Sequence, residues 1–292
     1  MESSPQVTEV VAGVDALPQS GPALEWAAAE AERRGCPLRL VHAVDTGTAT
    51  LSKRAAAGVT DLILQAGHDL LAEAAAQVAA AHPGLETTAR VVAAEPAPAI
   101  LDAAGRHALV VVGSRGKGGF ASLLLGSVSL RVAAHAHGPV VVVHAPPSAA
   151  QGLSVLVGVR DEDDAPAVRF AFDAAARRDA PVRALHAWSA ISGVGQAVPL
   201  VDSLDEEHRQ HARLLEGTVR AARADFPPGR IVTDLVDGAA AAALVEASAH
   251  AALLVVGTSA PTRSHPGLRP GTVAHALLHH AHCPVVLVPA AP

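Results

Sequence analysis

Along this chain, short runs of valine and leucine alternate with longer alanine-rich stretches, a pattern that reads as buried strands each followed by a covering helix. In the first half the runs predict strands near 9–14, 38–43, 86–92, 109–113 and 139–144. The longer stretches predict helices near 21–34, 60–81, 97–106 and 126–136. The second half repeats the order, with strands near 154–159, 182–188, 230–236, 252–257 and 284–289. Its helices are expected near 165–178, 203–225, 239–250 and 271–281. Regular alternation of this kind defines βα units and a parallel sheet.

The halves also repeat residue by residue. Val10-Val-Ala-Gly-Val-Asp15 returns as Val155-Leu-Val-Gly-Val-Arg160, and LRLVHAV at 38–44 returns as VRALHAW at 182–188. Gly13 recurs as Gly158, His42 as His186, Gly113 as Gly257 and Pro139 as Pro284, always at an offset of 144 or 145 residues. A period this long marks a duplicated domain and not a solenoid. The Pro-rich, then small-residue stretch from Ala145 to Gly152 reads as the join. The expected division is therefore 1–147 for the first domain, 148–152 for a linker and 153–292 for the second.

Composition narrows the function. Half of the 292 residues are hydrophobic, with four Phe, two Trp and no Tyr, which suits valine-rich strands under alanine-rich helices and leaves no aromatic stacking platform. A net charge of -6 and the lack of any Lys/Arg block argue against nucleic acid, whose phosphates need clustered cations. No basic leader precedes an apolar stretch and no apolar run is long enough to span a bilayer, so the expectation is a cytoplasmic protein without a membrane partner. Cys36 and Cys283 sit at unrelated positions of the two halves and read as small buried thiols, reduced and outside any disulfide framework.

The chemistry is concentrated after the fourth strand, in GSRGKGGFASLLLGSVS at 113–129. In open α/β sheets ligands bind at the carboxyl ends of strands. Gly113 and Gly116 would let backbone approach a ligand closely, and Gly126-Ser127 would offer N–H groups and a hydroxyl at a helix start, which together make a phosphate cradle. The bland alternative, that the glycines serve turns and Ser127 caps its helix, has about equal weight on the glycines alone. Sharper motifs fail. A P-loop needs Gly-x4-Gly-Lys-Ser/Thr, and Lys117 has no hydroxyl residue after it. Gly116 to Ala121 matches a dinucleotide fingerprint only in its glycines, since no Asp or Glu occurs between positions 103 and 160. GTSAP at 257–261 misses a nucleophile elbow because Pro261 stands at the last glycine.

The spacing Gly113-x2-Gly116-x9-Gly126-Ser127 resembles the glycine loop of universal stress proteins of the ATP-binding type (the UspA family), and the resemblance runs over nearly the whole chain. It is carried by GVD at 13–15, EWAAAEAERRGCPLRLVHA at 25–43, HAHGPVVVV at 135–143, RFAFDAAARRDAPVRALHAW at 169–188 and HAHCPVVLV at 280–288. The resemblance implies an α/β, Rossmann-like fold: two tandem copies of a five-stranded parallel sheet with helices on both faces, of the adenine-nucleotide alpha-hydrolase type. It further implies an intrachain pseudo-dimer formed through the last strands, and a homodimer of tandem chains. It places adenine near Asp15 and the backbone of Ala43, ribose near Gly113, and phosphates on Gly116, Gly126, Ser127 and Val128, with Mg²⁺ accompanying them. Arg115 and Lys117 flank this loop, and Ser129 lies in the matched stretch. Ala16-Leu17 departs from the Gly-Ser common in the family at that point.

The second loop is expected to have lost the nucleotide. Arg160 replaces the aspartate, Ala260 replaces the second glycine, one residue is inserted before Gly271-Thr272, and Pro261, Pro266 and Pro270 each remove a backbone donor. Elsewhere the bland readings prevail. His135, His137, His279, His280 and His282 gather where final helices end, and suit the carbonyls there better than a metal. His42 and His186 read as buried structural residues, and Asp161 to Asp164 as acids favouring a helix start. The functional expectation is a stress-response regulatory module holding ATP in its first domain, with an unidentified protein partner. No nucleophile, base and orienting acid can be placed around the loop, so no catalytic residue is assigned and any hydrolysis is expected to be slow. The rivals are a weak ATPase or phosphotransferase using Asp15 and Ser127, and a nucleotide-free interaction scaffold.

Overall fold

A computed structural model describes residues 7–44, 53–114, 125–144, 152–189, 201–223, 226, 230–258 and 271–290, the side chains of 53–59 and 201–203 excepted. The chain divides into two compact units, Met1–Pro146 and Pro147–Pro292.

In unit 1 the elements run β1 (Glu9–Gly13), α1 (Leu17–Arg34), β2 (Leu38–Ala43), α2 (Lys53–Ala81), β3 (Thr87–Val92), α3 (Pro96–Ala104), β4 (Ala108–Gly113), α4 (Ser127–His135) and β5 (Val140–Val143). The strands stand in the order β3-β2-β1-β4-β5 and all pair in parallel. Register is fixed by pairs such as Ala12 with Val111 and Gly113 with Val143. Helices α1 and α2 pack on each other, as do α3 and α4, so the sheet is covered on both faces. With both faces covered, strand residues are buried whichever way they point: Val10, Val11, Leu109 and Val111 are all fully buried.

Unit 2 repeats this with β6 (Ser154–Gly158), a 3-10 turn (Glu162–Asp164), α5 (Ala165–Ala176), β7 (Val182–Trp188), α6 (Val201–Arg223) and β8 (Ile231–Asp237). It continues with α7 (Ala240–Ser248), β9 (Ala251–Thr258), α8 (Thr272–His280) and β10 (Val285–Pro289). Its order is β10-β9-β6-β7-β8, again parallel. Even a special backbone position is repeated. Gly35 ends α1 in the left-handed region at φ 62°, and its counterpart Asp179 adopts φ 48°. A short polar side chain tolerates that conformation better than most.

The expected α/β fold of tandem five-stranded parallel sheets is the observed one. Two helix starts differ by four residues or more from the expected ones. Helix α1 starts at Leu17 and not near 21, because Pro18 lies in its first turn, where a missing N–H costs nothing. Helix α2 reaches back to Lys53. Among the described residues, no helix is long and apolar enough to cross a membrane. Cys283 is buried, and burial pushes its thiol up to about 12, whereas Cys36 is half-buried; both are free thiols.

Candidate functional site

In each unit the strand order reverses between two neighbours that lead their connections to opposite sides: β1 and β4 in unit 1, β6 and β9 in unit 2. A crevice opens there by topology alone, at the strands' carboxyl ends. Both crevices are real cavities, of about 280 Å³ in unit 1 and about 260 Å³ in unit 2.

The unit 1 cavity brings together Asp15, Ala43, Gly113, Gly126, Ser127, Val128 and Ser129 from four separate segments. Arg115, Gly116 and Lys117 lie outside the described residues. The same cavity is walled by Val14, Ile100, Val112 and Leu125, giving an apolar slot with a polar end.

That polar end is the start of α4. Its N-cap is Gly126, in extended backbone, and no side chain caps the helix; Ser127 is the first helical residue and not the cap. The Gly126 N–H donates to the Ser114 carbonyl at 2.7 Å, which closes the loop and removes that donor from any ligand. The first helical bond is Leu130 N–H to the Gly126 carbonyl at 3.1 Å. Among the described residues, the N–H groups of Ser127, Val128 and Ser129 thus have no partner, and they stand at the positive end of the helix. Ser129 spends its own hydroxyl proton on the Gly113 carbonyl at 2.6 Å, tying α4 to the end of β4.

At the opposite wall Ser20 arranges the Asp15 loop. Its Oγ accepts from the Asp15 N–H at 3.1 Å and the Ala16 N–H at 3.4 Å. Ser20, Pro96, Ile100 and Leu125 line the cavity and were not singled out by sequence. Ser20 alone left a signal, a hydroxyl five residues after Asp15 where side chains often tie local backbone. The other three are apolar residues that only the fold brings here.

The two strand histidines differ. His42 Nδ1 lies 2.7 Å from the Val14 carbonyl and His186 Nδ1 lies 2.7 Å from the Val159 carbonyl. A carbonyl only accepts, so Nδ1 carries the proton in both. His186 is buried, and its Nε2 meets His211 Nδ1 at 2.8 Å, with Trp188 stacked on His211 at 5.2 Å. Burial and then the neighbouring His186 lower the His211 pKa below its ordinary value. In unit 1 the residue matching His211 is Gly67, where an added Cβ would approach the His42 ring to 3.0 Å. His135 Nδ1 donates to the Arg131 carbonyl at 2.8 Å, in the last turn of α4. Among the described residues, no three His, Cys, Asp or Glu side chains converge as metal ligands.

The unit 2 cavity has matching walls but a different interior. Arg160 stands where unit 1 has Asp15, and Asp164 takes the place of Ser20. Asp164 accepts the Arg160 N–H on Oδ2 at 2.6 Å and the Arg160 guanidinium on Oδ1 at 3.0 Å. Only Asp161 of the acidic run behaves as a turn cap, accepting from the Asp163 N–H at 3.1 Å. Asp164 is a buried cavity residue, and burial raises its pKa against the opposing pull of Arg160. Ala260, Pro261, Pro266 and Pro270 lie outside the described residues.

A doubly wound parallel sheet, duplicated in one chain with a crevice at each switch point, defines the class. The family model for the universal stress protein family matches residues 7–144 and 154–289. One universal stress protein of Mycobacterium tuberculosis is 33% identical over 98% of each chain. Another from the same organism is 30% identical, covering 95% of this chain and 94% of its own. The fold matches that of a universal stress protein from Archaeoglobus fulgidus with a TM-score of 0.70, at 16% identity over 97% of this chain and 99% of that one. The chain belongs to the universal stress protein family.

Proposed function

We propose that unit 1 binds ATP, with Mg²⁺ carried on the phosphates, and that the protein is a stress-response regulatory module in which unit 2 keeps the fold without the nucleotide. The observation that carries this reading is the meeting, in one cavity, of an apolar slot with three N–H groups at the start of α4 that have no partner among the described residues. The slot suits a purine between Val14, Val112 and Ile100, close to Asp15 and the backbone of Ala43. The helix start suits the phosphates, since oriented N–H groups and the helix dipole both favour an anion. Gly113 also lines the cavity, tied to the start of α4 through Ser129, and ribose would lie against it.

Among the described residues of this cavity there is no base placed against a nucleophile, so the reading is binding and signalling and not turnover. Asp15→Ala should weaken ATP binding by about 10-fold or more, the usual worth of a hydrogen bond to a charged group. Arg160→Ala should leave it unchanged. Equal weakening by both, measured by calorimetry on nucleotide-free protein, would contradict the assignment to unit 1.

A further inference from the structure

The second cavity, at about 260 Å³ against about 280 Å³, sits at the same point of its sheet, but the part of it over the end of β9 is taken by one of its own side chains. Ser20 and Asp164 do the same structural job, accepting the backbone N–H of Asp15 and of Arg160 respectively. Ser20 ends at its hydroxyl. Asp164 has a further oxygen, and Oδ1 reaches across to β9: a Cβ built on Gly257 would lie 2.1 Å from it. Gly257 is the counterpart of Gly113. Its lack of a side chain in unit 2 therefore makes room for a carboxylate of the protein itself. The Arg160 guanidinium, which could otherwise fork onto a phosphate, is held on Asp164 at 3.0 Å and on Asp161 at 3.1 Å.

We infer that Asp164 is the specificity-determining residue that shuts the second cavity to nucleotides, by filling the space over Gly257 with a buried carboxylate and by occupying Arg160. The inference rests on the nucleotide reading of unit 1 and adds, beside the changes in the loop sequence, a cause for the asymmetry that lies in the cavity itself. A carboxylate in a low-dielectric pocket repels a phosphate strongly, and this one is fixed by two hydrogen bonds from Arg160. Helix α8 keeps its own start, with Gly271, Thr272 and Val273 on the cavity wall. Donors for an anion remain there once Asp164 is gone.

The test exchanges the two residues in the full-length chain. Asp164→Ser keeps an acceptor for the Arg160 N–H, as Ser20 does for Asp15, while it clears the space over Gly257 and leaves the guanidinium held by Asp161 alone. Calorimetric titration of nucleotide-free protein with Mg-ATP should rise from about one site per chain to about two in this variant. The reciprocal Ser20→Asp should lower it from about one to none. Asp164→Ala, with thermal melting compared with the parent, serves as the second opening variant should the serine perturb folding. If Asp164→Ser and Asp164→Ala fold normally and bind no more ATP than the parent, the inference is overturned. Should the parent bind no ATP, the reading of unit 1 fails. A site gained by Asp164→Ser would then still uphold the role of Asp164, and none gained would refute it.

Discussion

Gly126→Val is expected to abolish ATP binding while leaving unit 1 folded. Gly126 has φ -75° and ψ 150°, an extended conformation that valine adopts without strain. Its N–H still reaches the Ser114 carbonyl, so the loop closure survives the substitution. What changes is the mouth of the helix. A branched side chain placed beside the Ser127 and Val128 N–H groups keeps a phosphate from reaching them. Losing two charge-assisted hydrogen bonds corresponds to about 100-fold in affinity or more, whereas the weaker N-cap costs the helix only about 1 kcal/mol. Gly271→Val, at the same point of unit 2, is the control and should leave ATP affinity unaltered; an added Cβ there meets nothing within 4 Å among the described residues. Native melting with undiminished binding in the Gly126 variant would remove α4 from the site.

The largest stability effect is expected at Glu30. This glutamate is 1% exposed on α1 and holds Arg34, itself 4% exposed, through Nε at 2.6 Å, with Arg33 at 3.5 Å. Buried pairs gain little over apolar packing, but removing one partner leaves a desolvated charge without its counter-ion. Glu30→Ala should cost unit 1 about 3–5 kcal/mol, lowering its melting temperature by on the order of 10 °C. The contrast is Glu95, whose bridge to Arg131 is more than half exposed on both sides. Glu95→Ala should cost under about 1 kcal/mol, as solvent-exposed pairs do. Equal effects at the two positions in calorimetric melts would mean that Glu30 is not the structural anchor described here.

The fold was legible because burial on both faces writes each strand as an uninterrupted apolar run, and because the second half repeats the first. Helix α1 was expected near 21–34 and begins four residues earlier, at Leu17, since Pro18 is harmless in a first turn. Of the residues that line the unit 1 cavity, Gly113 and Gly126 were marked by the glycine loop after the fourth strand, and Asp15 by the family resemblance alone. Ile100 and Pro96 could not be found, being apolar residues with no local mark of a ligand. Asp164 was hidden for another reason. An acid at a helix start satisfies the dipole whether it faces solvent or a cavity, and only the packing against Gly257 separates the two. The free donor ascribed to Gly126 was likewise invisible as a spent one, because its partner, Ser114, is brought to it by loop closure.

Asymmetry between two copies of one fold is the central claim, and stoichiometry tests it most directly. Nucleotide-free full-length protein titrated with Mg-ATP in a calorimeter should saturate at about one ATP per chain. Saturation at about two per chain, or no heat of binding at all, would contradict it.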